Sequence, residues 1–209
     1  MPQPAYRIQT PRLVLRCWEP RDTPLLQEAV AASLEHLRPW MEWARAEPRT
    51  LEEQITRLRG CRARFDTDQD YVYGILNREE TQALGSSGLH TRLGNDALEI
   101  GYWIHVDYIG QGLATETAAA LTRVAFQVNR VQRVEIHCAA DNTRSAAVPR
   151  KLGYVHEATL RQREFSPDGR PRDMMIWTLL AAEYPASPAA AAPVEAFDAL
   201  GRRLLPSSQ

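Results

Sequence analysis

A pair of glycines, Gly110 and Gly112, most constrains how this chain of 209 residues can fold. The residues before them, 98–106, form a run that is typical of a β-strand, and those after them, 113–129, are typical of a helix. The first N–H groups of a helix have no acceptor within it, and glycine lets a ligand approach the backbone closely. The strand, turn and helix therefore predict an α/β domain with an anion site that suits a phosphorylated ligand.

The residues around this turn exclude two common phosphate-binding motifs. The sequence has no Gly-x-Gly-x-x-Gly, and no Gly-Lys-Ser/Thr closes the turn, so neither a dinucleotide-binding motif nor a P-loop is present. Asn129 and Arg130 end the helical stretch where a ribose-binding acidic residue would be expected. A different class of phosphorylated cofactor is therefore indicated.

Three segments together resemble one enzyme family. The segment Ile109-Gly-Gln-Gly-Leu-Ala114 resembles the pyrophosphate-binding motif Gln/Arg-x-x-Gly-x-Gly/Ala of the GCN5-related N-acetyltransferases (GNAT), with isoleucine in its first position. Residues 10–16, Thr-Pro-Arg-Leu-Val-Leu-Arg, resemble the opening strand of the RimJ/RimL branch of that family. Residues 141–154 resemble the branch's Asn-x-x-Ser and Lys-Leu-Gly-Phe segment. The resemblance spans roughly residues 8–184, and we expect a member of this branch.

The resemblance implies an α/β (α+β) fold, in which a mixed, mostly antiparallel sheet of about seven strands is flanked by helices and splayed at the cofactor site. The residue patterns predict strands at 13–15, 71–76, 84–89, 98–106, 131–138, 154–163 and 173–180. They predict helices at 22–33, 50–65, 113–129 and 143–152. We expect residues 1–184 to form the acetyltransferase domain. Residues 185–209 are rich in alanine and proline, which favours a mobile tail, with a short helix at 194–205 as the alternative.

The composition narrows the class of protein. A net charge of −1 gives no reason to expect nucleic-acid binding, and no apolar run approaches the ~20 residues of a membrane span. The N-terminus lacks the layout of a signal peptide. The three cysteines, Cys17, Cys61 and Cys138, form no Cys-x-x-Cys pair, so we expect no metal site and no disulfide framework. These features favour a reducing cytoplasm.

The resemblance implies acetyl-CoA as the cofactor. It would lie along the end of one strand, over the glycine turn and beside the next helix. The residues that the resemblance places in this role are Ile104, His105, Val106, Ile109, Gly110, Gln111, Gly112, Leu113, Ala114, Thr115, Asn142, Ser145 and Lys151. A catalytic role for His105 is the less favoured alternative, because a strand histidine can equally face solvent or the core.

Acetyl transfer from a thioester to an amine needs a base, donors for the oxyanion, and a group that protonates the departing thiolate. The resemblance implies Glu164 as the base and Ser145 as the proton donor. Glu99, on the strand before the glycine turn, is the rival base. A surface carboxylate at residue 164 and a rim salt bridge at residue 99 are the structural alternatives.

Four aromatic residues are candidates for the wall of the acceptor groove, with plain core packing as the alternative: Trp40, Trp43, Tyr71 and Tyr73. The acceptor that the resemblance implies is a protein N-terminal α-amine, such as that of a ribosomal protein. An α-amine has a pKa of about 8, so more of it is neutral at pH 7 than of a lysine. A small-molecule amine (polyamine, amino sugar or antibiotic) and a non-catalytic acyl-CoA-binding module are the alternatives, and a homodimer is open.

Overall fold

The computed structural model describes residues 4–94, 96–166 and 168–205. These residues form a mixed sheet of nine strands in the order β7-β8-β6-β5-β4-β3-β2-β1-β9. The strands are β1 (Arg7–Gln9), β2 (Leu13–Cys17), β3 (Tyr71–Asn77), β4 (Ala83–His90), β5 (Ala97–Ile104), β6 (Arg133–Ala139), β7 (Val155–Phe165), β8 (Pro171–Leu180) and β9 (Glu195–Phe197). The predicted fold class is confirmed, and the two strands beyond the expected seven are the three-residue β1 and β9.

The α-helices of the described residues are α1 (Thr23–Leu37), α2 (Leu51–Asp66), α3 (Leu113–Val124) and α4 (Thr143–Lys151). α2 begins, close to the predicted start, at a capping box in which the Thr50 hydroxyl accepts from the Glu53 N–H and the Glu53 carboxylate accepts from the Thr50 N–H. α3 continues into one π-helical turn, Ala125–Asn129. No helix among the described residues is long and apolar enough to cross a membrane.

Two apolar clusters stabilise the sheet. One contains α3 residues such as Leu121 together with Ile100 and Ile136, and the other joins α1 to Trp18 and Trp103. Their residues are nearly inaccessible to water, so burial of apolar area is the main stabilising contribution. The helices thus hold the central strands in fixed positions on both sides of the site.

Strands β5 and β6 splay apart in the middle of the sheet. They form the parallel pair, but only at residues 97–99 and 133–135. Beyond this point β5 continues along β4 as far as Ile104, whereas β6 continues along β8 as far as Ala139. A wedge therefore opens between them, and the edge of β5 that faces it has no neighbouring strand to satisfy its N–H and C=O groups.

The segment after residue 184 is packed on the domain as far as Leu205. Strand β9 pairs antiparallel with β1, and Ala196 lies opposite Ile8. Ala189, Val194, Ala196 and Leu205 are almost completely buried. The expected short helix at 194–205 and the mobile tail are therefore wrong for these residues. The edge of β1 offers free N–H and C=O groups, and pairing with them outweighs the low apolar content of the segment.

Replacement of Ala196 by aspartate is expected to lower the free energy of unfolding by roughly 3 kcal/mol or more, because it places an unpaired charge in a buried position. Leu200→Asp is the matched control, since Leu200 is 77% exposed in the same segment. Thermal unfolding of both variants tests the packing. Equal melting temperatures would contradict it.

Candidate active site

A cavity of about 780 Å³ lies between the glycine turn, the start of α4 and the end of α1. Predicted cofactor residues that line it are Ile104, Ile109, Gly110, Gly112, Leu113, Ala114, Thr115, Asn142, Ser145 and Lys151. Arg144 and His36, which the sequence did not single out, line it as well. The cationic side chains of Arg144 and Lys151 outnumber the one carboxylate of the described lining residues, Asp141, which suits a phosphorylated ligand.

The glycine turn has the geometry of an anion cradle. Gly112 caps α3 with φ of +82°, in the left-handed region that favours glycine. The first helical bond runs from the N–H of Glu116 to the carbonyl of Gly112, at 3.0 Å. The N–H groups of Leu113, Ala114 and Thr115 therefore have no acceptor within the helix and are free for an anion.

Arg12 holds this turn from outside the cavity. Its Nη1 donates to the carbonyl of Gln111 at 2.9 Å, and its Nε donates to the Glu116 carboxylate at 2.6 Å. Gln111 does not line the cavity, and its part in cofactor binding stays a prediction. Arg12, in the opening segment, thus orders the glycine turn. Because the two segments are about a hundred residues apart, local sequence patterns cannot predict this contact.

The end of β5 presents its backbone to the wedge at alternate residues. The N–H of His105 donates to the carbonyl of Leu84 at 2.8 Å, so this residue faces β4. Neighbouring groups along a strand point to opposite sides, so Tyr102 and Ile104 direct their backbone groups into the wedge. The N–H of Val106 donates to Ser33 Oγ at 3.0 Å. Ile104 therefore fits the predicted backbone role, whereas His105 and Val106 do not.

His105 is also poorly placed as a base. It is 6% exposed and lines neither the first cavity nor the second one described below. Its Nδ1 accepts from the N–H of Asp107 at 3.2 Å, and its ring packs against Tyr108. A structural role accounts for all of these contacts.

A second cavity, of about 670 Å³, adjoins the first through the wedge. Both cavities are lined by Trp40, Met41, Tyr102, Trp103, Asn142 and Ser145. These six residues mark the place where a ligand in one cavity would meet a ligand in the other. The two cavities therefore form one continuous cleft through the sheet.

The loop between α1 and α2 covers this cleft and is tied to the β7–β8 pair. Arg172 of β8 donates to the carbonyl of Pro39 at 2.8 Å and lies over the Trp40 ring, 5.0 Å from its centroid. Arg45 donates to the carbonyl of Phe165 at 3.3 Å. These contacts fix the roof of the second cavity.

Ser145 lies at the junction of the two cavities, in the first turn of α4. Its N–H donates to Oδ1 of Asn142, so Asn142 caps the helix as well as lining the cleft. Its hydroxyl lies 3.1 Å from the hydroxyl of Tyr102. Burial raises the pKa of Tyr102, so the phenol stays protonated and can donate. The sequence indicated Ser145 but missed Tyr102, whose partner is 43 residues away.

The two candidate bases differ in their surroundings. Glu164 lies at the end of β7, opposite Arg172 of β8. It lines the second cavity, and part of its side chain is exposed to solvent. Partial burial raises its pKa, and nearby Glu42 and Glu99 add to that rise against the opposing effect of Arg172. Its environment thus makes the Glu164 carboxylate a stronger base than an ordinary glutamate.

Glu99 is buried and already paired. Its burial would raise its pKa, but the bond from Arg92 Nε, at 2.7 Å, and the nearby His137 ring bring the pKa below its usual value. A carboxylate stabilised in its charged form binds a proton weakly. The geometry therefore favours Glu164 over Glu99, although both line the second cavity.

Two of the four predicted acceptor-site aromatics line the second cavity. Trp40 and Trp43 do so, and Trp43 packs against Trp103 at 5.9 Å. Tyr73 is 1% exposed and donates to the carbonyl of Ala5, and the Tyr71 hydroxyl donates to Asp68. Both tyrosines pack on the Phe65 ring and line neither cavity, so their predicted role in acceptor binding is corrected to core packing.

Comparison with known proteins assigns this chain to a protein family. Residues 12–155 match the model of the acetyltransferase (GNAT) domain, and the chain belongs to this family. The Bacillus subtilis (strain 168) protein YdaF is 27% identical over 173 residues, which cover 82% of this chain and 93% of YdaF. The [ribosomal protein uS5]-alanine N-acetyltransferase of Escherichia coli (strain K12) is 24% identical over 190 residues, covering 87% and 94%.

The solved structure of Mycobacterium smegmatis RimJ in complex with a CoA-disulfide has a TM-score of 0.76 to this chain. It is 24% identical, and the match covers 89% of this chain and 91% of RimJ. The likeness shows a shared fold. The family match identifies the chain as an N-acetyltransferase of the GNAT family.

Proposed function

We propose that this enzyme acetylates the N-terminal α-amine of a protein, with ribosomal proteins as the substrate class. The observation that carries the proposal is the continuous cleft, which gives the acceptor its own cavity on the far side of the wedge from the glycine turn. The E. coli relative, named for its action on ribosomal protein uS5, supports the class of acceptor.

The residues of the first cavity fit the cofactor. We expect the free N–H groups of Leu113, Ala114 and Thr115 to hold the pyrophosphate, and the backbone of Ile104 to pair with the pantetheine arm. Lys151 would neutralise the adenosine phosphate. Acetyl-CoA supplies the acetyl group in activated form, as a thioester.

The second cavity supplies the proton transfers. In the proposed mechanism the Glu164 carboxylate takes the proton from the acceptor amine, directly or through a water molecule. The hydroxyl of Ser145 gives a proton to the departing sulfur and regains one from solvent, and a hydrogen bond from the Tyr102 hydroxyl stabilises the serine oxygen. A backbone N–H of the β5 edge, at Ile104, would stabilise the oxyanion. Transfer is direct, without a covalent enzyme intermediate.

Turnover of acetyl-CoA across a panel of acceptors tests this proposal. The panel contains peptides with varied N-termini, the same peptides with a blocked α-amine, polyamines and aminoglycosides, and release of free CoA thiol is followed. We expect turnover of the unblocked peptides alone. Turnover confined to a small amine would keep the chemistry and replace the acceptor.

Replacement of Ser145 by alanine is expected to lower kcat by roughly 100-fold, the lower end of the range for a lost proton donor, with little change in affinity for acetyl-CoA. Tyr102→Phe should cost less, because the serine hydroxyl remains. Stopped-flow measurement of thiol release compares the two variants. An unchanged rate in Ser145→Ala would leave Ser145 as a helix residue only.

Action on ribosomal proteins would place the enzyme in the cytoplasm. The homodimer stays a prediction, and the edge strand β7, which is exposed along most of its length, is the surface we expect it to use. Light scattering of the purified chain tests it: a mass of one chain would argue against the dimer.

A further inference from the structure

The second cavity carries more positive than negative side chains. Its lining includes four arginines, Arg57, Arg64, Arg92 and Arg163. The carboxylates that line it are Glu99 and Glu164, and Arg92 is already bonded to Glu99. Among the described residues, this leaves a surplus of guanidinium groups in a cavity whose proposed ligand is itself an amine.

Arg57 is held in place without a carboxylate partner. It is partly buried on α2, and its guanidinium lies over the Trp43 ring, 5.4 Å from the centroid. No carboxylate of the described residues lies within ion-pair distance of it, although 19 ion pairs occur elsewhere in them. Burial lowers its pKa, against the opposing effect of Glu47, which lies nearby but beyond ion-pair distance.

Arg64, on the same helix, is a second arginine of the cavity without a carboxylate partner among the described residues. It follows Arg57 by seven residues, about two helical turns, so both side chains project from one face of α2 into the cavity. Its polar contact within the described residues is the sulfur of Cys61, 3.6 Å from Nη2. A thiol does not neutralise a guanidinium, so this charge is also uncompensated.

The cofactor phosphates do not account for these arginines. The glycine turn and the first turn of α3 line the first cavity, whereas Arg57 and Arg64 line only the second, on the acceptor side. A guanidinium fixed on an aromatic ring and lacking a carboxylate is well suited to bind a carboxylate of a ligand. A polyamine would meet repulsion in the same place.

We propose that Arg57 and Arg64 form an anion subsite that selects acceptors carrying a carboxylate close to the amine, namely protein N-termini with Asp or Glu among their first residues. This inference rests on the proposed function for the identity of the acceptor. The arginines bind the acidic side chain and thereby position the α-amine toward Ser145 and Glu164.

Calorimetric binding of short N-acetylated peptides to the enzyme with CoA present tests the subsite without any need for turnover. The peptides differ only at their second and third residues, which are acidic, amide or basic. We expect the acidic peptide to bind about tenfold more tightly than the amide one. We expect this preference to fall severalfold in Arg57→Gln and to disappear in Arg57→Gln/Arg64→Gln.

Arg59→Gln is the matched control, because Arg59 is an exposed arginine of the same helix that does not line the cavity. It should keep the full preference, and Arg57→Lys should keep part of it. Equal binding of acidic and amide peptides to the unchanged enzyme, or a preference that survives in the double variant, would overturn the subsite. Turnover of the unblocked peptides is measured separately, so failure of the proposed function is distinguishable from failure of the subsite.

Discussion

Replacement of Gly112 by valine is expected to abolish measurable binding of coenzyme A. The φ of +82° at this residue costs an ordinary L-residue roughly 1–2 kcal/mol, and a β-branched residue more. An added Cβ would also lie 3.6 Å from Arg12 Nη2, so the branched side chain would disturb the contacts by which Arg12 holds the turn. Together these effects should weaken affinity by at least about 100-fold, which isothermal titration with CoA measures.

Gly94→Val measures the effect of backbone strain alone, without any change at the glycine turn. Gly94 also has a left-handed φ, of +89°, and an added Cβ there meets nothing within 4 Å, but it does not line either cavity. The control variant should lose some stability and bind CoA normally. Normal CoA binding by folded Gly112→Val would show that the glycine turn is not the phosphate site.

Replacement of Glu164 by glutamine is expected to lower kcat by about 100-fold or more at neutral pH, with CoA affinity intact. A base must be deprotonated to act. Because burial raises the pKa of Glu164 above that of an ordinary glutamate, the rate should fall as the pH is lowered through this raised value. In Glu164→Gln the part of the acidic limb that Glu164 sets should disappear, since glutamine does not titrate, and only the decline set by protonation of the acceptor amine should remain.

Glu99→Gln provides the comparison. Its loss leaves Arg92 without its carboxylate partner, so we expect the variant to lose stability, while its residual rate keeps the acidic limb of the unchanged enzyme. The opposite pattern, an unchanged profile in Glu164→Gln and a lost limb in Glu99→Gln, would make Glu99 the base.

The sequence predicted the parts of the fold that depend on local chemistry. The capping box at Thr50 fixes the start of α2 because its side chains bond to backbone N–H groups within three residues. Gly112 fixes the start of α3 because it adopts the left-handed conformation that precedes the helix. Ser145 and Asn142 were instead predicted from the family resemblance of one segment, which contains both the helix cap and the residue at the wedge.

The remaining features depend on contacts between distant segments. Pairing of β9 with β1 joins residues almost 190 positions apart, and only the folded sheet shows that β1 has a free edge. Tyr71 and Tyr73 alternate like groove residues, but α2 places Phe65 over them. The positive charge surplus at Arg57 likewise depends on the fold, which places no carboxylate of the described residues within ion-pair distance of it. A local sequence pattern cannot predict this.

Fragment mass spectrometry of one peptide tests the proposed acceptor most directly. The peptide has a free N-terminus, an acidic second residue and an internal lysine, and it is incubated with the enzyme and acetyl-CoA. We predict a single acetyl group on the α-amine and none on the lysine side chain. Acetylation of the lysine alone, or no acetylation while a small amine in the same tube is modified, would contradict an N-terminal acetyltransferase.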